Sequence, residues 1–176
     1  FKPMSAGEKQ MKLTLLDEAN RMLLAEKELT FRVVPENELM KRTVRIDRHG
    51  RTLVDGKPFL PVGIYMSGLT KAQIDTVAEA GFNTVLPYQS PNLGFNGRKG
   101  PAAIHEVLDY CHAKKIKVIF SIKDAMPKGA TNMPLETWNG ITGDVAISNA
   151  IVETFKDHPA LLAWYVCDEI QPTYIE

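Results

Sequence analysis

The chain has 176 residues, 44% hydrophobic and 24% charged, the profile of an ordinary globular protein long enough to bury a real core. Lysine plus arginine balances aspartate plus glutamate at 21 each, so no net field draws in nucleic acid or an anionic membrane, and neither is expected as a partner. No stretch is apolar for the about 18 residues that a membrane span needs.

Residues 1 to about 35 hold two runs, Lys12 to Leu15 and Leu29 to Val34, that alternate polar and apolar as half-exposed strands do. The intervening Leu16 to Glu28 has helix-forming residues, with Leu16, Ala19 and Leu23 on one face, but a hairpin is the preferred reading. The two runs look like the closing strands of a β-sandwich whose remainder lies outside these residues, since two strands cannot close a core. Pro35 to Glu38 reads as a linker, which puts a first domain at residues 1–40 and a second at 41–176. A start at Phe1 suggests a processed or excised chain. Val44 to Asp47 alternates again, and Asp55-Gly56 between Thr52–Val54 and Pro58–Leu60 describes a small hairpin.

From Leu60 onward the period changes to a repeated strand, loop, helix and short turn, the signature of parallel βαβ units and so of an α/β fold. The strands read as Leu60–Tyr65, Asn83–Pro87, Lys117–Ile122 and Leu161–Glu169. Thr70 and Gln73 form a capping-box pattern ahead of Ile74, Val77 and Ala78, and Gly81 ends that helix. Pro101 opens a second helix with Ile104, Val107, Leu108 and Cys111 at helical spacing; Ile147, Ile151 and Phe155 mark a third. Cys111 and Cys167 read as small apolar residues rather than a disulfide or metal set. His105 and His112 have no ligand spacing, and neither a metal nor a cofactor is expected: there is no phosphate-binding glycine loop, dinucleotide fingerprint or serine elbow.

Helix-to-strand turns are short, whereas strand-to-helix loops are long, above all Asp124 to Gly143, which marks the carboxyl ends of the strands as the working edge. Leu161 to Cys167 is a bulky run that reads as a strand buried on both faces and ends in Asp168 and Glu169. Carboxylates at the mouth of a buried strand are costly without a partner, so they point to chemistry; the alternative is that they begin a solvated loop. Tyr65, Tyr88, Gln89, Lys123 and Asp124 fall at the ends of the first three strands, where each either lines a binding subsite or caps its strand. Trp138 in the long loop either offers its ring to a ligand or fills the core beneath it. Trp164 alternates away from Glu169 and should pack against helices.

Val44 to Tyr65, with its Asp55-Gly56-Lys57-Pro58 hairpin ahead of the first strand, and Leu161 to Glu169 resemble the catalytic module of the clan A (β/α)8-barrel glycoside hydrolases. The resemblance covers roughly Val44 to the end. It implies the first four βα units of a TIM-type barrel preceded by the end of a β-sandwich, a carbohydrate substrate, an extracellular or periplasmic setting, and Glu169 as the general acid/base that ends the fourth strand. Asp168 stands where the clan usually has asparagine bonded to the sugar's 2-hydroxyl; a carboxylate can accept that bond, and its charge would raise the pKa of Glu169. A full barrel takes about 250 residues, so the remaining half, with the nucleophile that ends a seventh strand, is expected from the parent chain. The expectation is therefore a fragment of a retaining glycoside hydrolase acting on O-glycosidic bonds, with Glu169 catalytic and Asp168, Tyr65, Tyr88, Gln89, Lys123 and Trp138 binding substrate. The alternatives are a non-catalytic carbohydrate-binding or scaffold protein with a barrel-like fold, and an unrelated α/β enzyme with an open sheet.

Overall fold

The computed structural model describes residues 4–126 and 134–167. Two compact units divide at Phe59/Leu60.

The first unit opens with a long antiparallel hairpin, β1 (Gly7–Leu16) and β2 (Leu23–Val33), in place of the helix that propensity alone would allow at its centre. Its turn explains the choice. Asp17 Oδ1 accepts from the Ala19 and Asn20 N–H groups, Asn20 Oδ1 accepts from Met22 N–H, and Arg21 takes a positive φ of 60°. These side-chain bonds offer the backbone a turn instead of a helix. After a single helical turn, α1 (Glu36–Leu39), comes a three-stranded antiparallel sheet of β3 (Val44–Ile46), β4 (Thr52–Val54) and β5 (Lys57–Pro58). The β4–β5 turn is Asp55-Gly56 with φ of 49° and 76°, the paired positive values of a tight primed hairpin. At the β3–β4 turn, Asp47 accepts from His49 N–H and Arg51 N–H and pairs with the Arg51 side chain; these bonds, led by that of the Arg51 backbone, hold its carboxyl at about 2.

The second unit is mixed α/β. Four strands, β6 (Gly63–Met66), β7 (Thr84–Pro87), β8 (Lys117–Ser121) and β11 (Leu161–Tyr165), lie all parallel in the sequential order β6-β7-β8-β11. The first strand is shorter than the sequence reading: at residues 60–62 a side chain makes most of the bonds to the neighbouring segment, Asn83 Oδ1 accepting from Val62 N–H and its Nδ2 donating to Leu60 O, beside one backbone bond from Asn83 N–H to Val62 O. Between the strands run α2 (Lys71–Glu79) and α3 (Pro101–Ala113), and ahead of β11 α4 (Asp144–Phe155). The Thr70/Gln73 capping box is formed in both directions, and Gly81 takes the positive φ of 84° that ends α2.

Alternation along the strands assigns their two faces. One carries Val85, Val118 and Phe120, which join Ile74 and Val77 of α2, Ile104, Val107, Leu108 and Cys111 of α3, and Ile147, Ile151 and Phe155 of α4 in one continuous buried core. Phe120 stacks on Phe155 at 5.4 Å and meets Trp164 edge-on at 5.5 Å. Cys111 lies wholly inside, and burial pushes its thiol up to about 12, as expected of an inert apolar filler. Asp75 links α2 to α3 by accepting from Tyr110 Oη at 3.0 Å and pairing with Lys114 at 2.6 Å; the Lys114 bond is the main reason its carboxyl titrates below the ordinary value.

Among the described residues the opposite face is only partly covered. Leu161 and Leu162 are buried, but Ala163 on this face is exposed, so β11 is not covered on both sides along its length as the sequence reading had it. Gly63 has its reason on the edge strand: a Cβ there would sit 2.6 Å from the backbone oxygen of Thr84 on the neighbouring strand.

In residues 124–143, read from the sequence as loop without periodicity, the described residues include regular structure. A 3-10 turn spans Lys123–Ala125, and a small hairpin pairs β9 (Thr137–Trp138) with β10 (Ile141–Thr142). Asn139-Gly140, with φ of 49° and 80°, makes its turn. That dipeptide is the strongest short hairpin signal in the segment, and it was there in the sequence.

Candidate functional site at the carboxyl edge of the parallel sheet

The four strands deliver their last residues to one edge, and the register decides which side chains meet there. Tyr65 pairs with Leu86, Val85 with Val118, and Tyr165 with Ser121. The β6–β7 ladder continues one residue further, since Tyr88 N–H donates to Met66 O at 2.7 Å. By alternation Tyr65, Tyr88, Ser121 and Tyr165 all fall on the open face. Their rings are contiguous: Tyr65 and Tyr88 lie 5.0 Å apart and Tyr88 and Tyr165 6.4 Å apart, both tilted. Three tyrosines from three strands thus make one aromatic surface, with Tyr65 at 55% exposure as its most open member.

A buried ion pair stands beside it. Lys123 is only 5% exposed and Asp124 9%; the Lys123 ammonium pairs with Asp124 Oδ1 and lies 3.8 Å from the centroid of the Tyr88 ring. A cation over a ring face gains from the quadrupole, and more so when desolvated. Burying such a pair contributes little net stability, because the desolvation of both charges offsets their attraction. Its place beside an aromatic surface at the strand ends is therefore better explained by what it positions than by what it stabilises.

Ser90 and Ser121 anchor this edge. Ser90 is fully buried in the turn after β7; its Oγ donates to Pro87 O at 2.6 Å and accepts from Ser121 N–H at 2.9 Å, extending the sheet where the strands part. Ser121 is 1% exposed, and its Oγ has no hydrogen-bond partner among the described residues.

Of the residues singled out from the sequence, Tyr65, Tyr88 and Lys123, with Asp124, are brought together. Gln89 follows Tyr88 but lines a separate cleft, described below. Trp138 is in the core: it is 5% exposed and packs edge-on against Phe155 at 6.2 Å. Core filling, one of the two roles open to it, is what this position provides. Trp164 packs against the helix-covered core as alternation required. Asp168 and Glu169 lie outside the described residues. Tyr165 and Ser121 are the members that sequence reasoning did not single out for binding. The same alternation that turns Trp164 away from Glu169 turns Tyr165 toward the open face, so the signal existed for Tyr165; for Ser121 it did not.

His105 and His158 form a separate pair, with His158 just ahead of β11. His158 Nδ1 accepts from Ala160 N–H at 3.1 Å, while its Nε2 faces Asp109 Oδ1 at 3.2 Å, and its ring is 5.6 Å from that of His105. Burial lowers the pKa of His158 against the opposing pull of Asp109. The described residues contain no group of histidine, cysteine and carboxylate side chains able to hold a metal ion. No described helix is long and apolar enough to cross a membrane.

Fold and site together define an α/β protein with a four-stranded parallel sheet whose carboxyl edge carries a tyrosine surface and a buried lysine–aspartate pair. Neither a scan of protein-family models nor a search of curated proteins gives a match for the chain.

Proposed function

We propose that this chain supplies the acid/base half of a retaining glycoside hydrolase: its second unit is the first four βα units of a (β/α)8 barrel, and the tyrosine surface receives carbohydrate. The observation that carries the reading is the convergence of Tyr65, Tyr88 and Tyr165 with Lys123 and Asp124 on one open edge of four sequentially ordered parallel strands. Aromatic faces offer apolar contact to the C–H faces of sugar rings, and ionic and hydroxyl groups at their rim bond sugar hydroxyls. Ligand sites of parallel α/β proteins form beyond the carboxyl ends of the strands.

Glu169 follows Tyr165 by four positions and is assigned the general acid/base, with Asp168 accepting from a sugar hydroxyl. In retaining hydrolysis an acid protonates the leaving oxygen while a second carboxylate, about 5 Å away, attacks the anomeric carbon. In this assignment the second carboxylate is supplied by the other half of the barrel. Purified alone, the chain should bind oligosaccharides and turn over no aryl glycoside. In a protein carrying the full barrel, Glu169→Gln should lower kcat/KM about 10²- to 10⁴-fold. Turnover by the chain alone that Glu169→Gln abolishes would contradict the division of labour.

A second reading, carbohydrate binding without catalysis, draws on the same aromatic surface. It requires that Glu169→Gln leave both affinity and, in the full barrel, every measured rate unchanged.

A further inference from the structure

A cleft of about 320 Å³ opens between the turns that follow β6 and β7, lined by Ser67, Leu69, Thr70, Gln73, Gln89 and Asn92 among others. Its volume is at the lower end of the range for small-molecule sites. No charged side chain lines it. Its polar groups are carboxamides and hydroxyls, each able both to donate and to accept. Leu69 and Leu93, both nearly fully buried, supply an apolar wall. The Thr70/Gln73 capping box holds one rim in place, because each side chain is bonded to the other residue's backbone. Gln89 N–H donates to Ser67 O at 3.1 Å and Asn92 N–H to Gln89 O at 2.9 Å, which fixes the other.

A neutral lining that combines carboxamides with an apolar wall suits a ligand with many hydroxyls, no charge and a C–H face. It offers no cation to a carboxylate or phosphate and no carboxylate to an amine. Gln89 in the cleft directly follows Tyr88 of the aromatic surface in the chain, so one loop carries residues of both.

We propose that this cleft is a second carbohydrate subsite that holds one neutral sugar residue of an oligosaccharide whose neighbouring residues lie on the tyrosine surface. The proposal rests on the carbohydrate reading of that surface and extends it in two respects. It makes the substrate an oligomer rather than a single sugar, and it makes the unit in the cleft uncharged. Gln89 and Asn92 supply hydrogen bonds there, and Leu69 and Leu93 the contact to the ring face.

The test is NMR of the whole chain, read at the Gln and Asn side-chain amides and at the tyrosine ring C–H signals, titrated with neutral pentasaccharides of glucan, xylan and mannan type and with a pentameric polyuronate. At least one neutral pentasaccharide should shift the Gln89 and Asn92 carboxamide signals saturably, and the polyuronate should not. Gln89→Ala combined with Asn92→Ala should weaken binding about tenfold or more; both side chains are exposed and Gln73 is left to cap α2, so the fold should be retained. Shifts confined to the tyrosine rings would overturn the cleft proposal and leave the tyrosine surface as the site. Cleft shifts with affinity unchanged by Tyr88→Ala would keep the cleft as a sugar site and overturn the tyrosine reading. An unmoved spectrum with every sugar would overturn both.

Discussion

The two faces of the parallel sheet are made by the same strands, and they differ in kind. On the helix side Val85, Val118 and Phe120 are fully buried and join the apolar residues of α2, α3 and α4 in one core. On the other, one residue along in each strand, stand Tyr65, Tyr88 and Tyr165, a buried serine hydroxyl and, just beyond, the Lys123–Asp124 pair. The first face follows from packing alone: any set of apolar residues of the right volume would serve. The second would be an odd way to gain stability, since it leaves aromatic area in solvent and buries two charges. The difference argues that one face holds the fold and the other is held by it.

Substitutions should separate the two. The largest effect is expected in the helix-side core, where Phe155 is fully buried and touches the rings of Phe120, Trp138 and His105. Phe155→Ala should cost about 3–5 kcal/mol in urea unfolding, as large-to-small changes at buried aromatics do. A cost below about 1 kcal/mol would show that α4 is not part of the core. Next comes Gly63→Ala, where the new methyl meets the Thr84 backbone and the edge strand must move; about 1–3 kcal/mol is expected, by the same measurement.

A smaller effect should follow pH. His158 is held neutral in the folded chain, chiefly by burial and also because Nδ1 accepts a backbone N–H; Asp109 opposes this, and His105 and His112 add to it. Its folded pKa therefore lies below its ordinary value of 6.5, and the unfolded chain takes up the proton first. The His158 contribution should be complete above about pH 6.5 and decline as pH falls through the window beneath it. Urea midpoints from pH 7.5 to 5 should fall more steeply for the native chain than for His158→Gln, and parallel curves would refute the assignment. The smallest effect on stability belongs to the open face: Tyr65→Ala should cost less than about 1 kcal/mol, because over half of that side chain is already in water.

The helix-covered face was largely legible in the sequence. Ile74 and Val77, then Ile104, Val107, Leu108 and Cys111, then Ile147, Ile151 and Phe155 recur at helical spacing and are all buried, with Ala78 of the first set only partly so. Strand order followed from the repeated βα pattern and its short return turns. The open face was less legible. A period of two places Tyr65 and Tyr165 on one side of their own strands, but only the register between strands brings them to Tyr88, and register is a tertiary fact. The sequence leaves Trp138 two roles, a ligand contact or core filling, and only packing separates them: next to the Asn139-Gly140 turn it is buried edge-on against Phe155. Ser90, which joins β7 to β8 by two hydrogen bonds, left no mark in the sequence beyond a serine before a proline.

The claim that matters most is that the tyrosine surface receives carbohydrate, and calorimetric titration of neutral pentasaccharides into the native chain and into Tyr88→Ala tests it directly. Tyr88 lies at the centre of the surface, between Tyr65, Tyr165 and the Lys123 ammonium. Binding by the native chain, weakened at least tenfold in Tyr88→Ala while the urea midpoint changes little, is the predicted result. Equal affinity in the two proteins, or no binding of any pentasaccharide by the native chain, would contradict it.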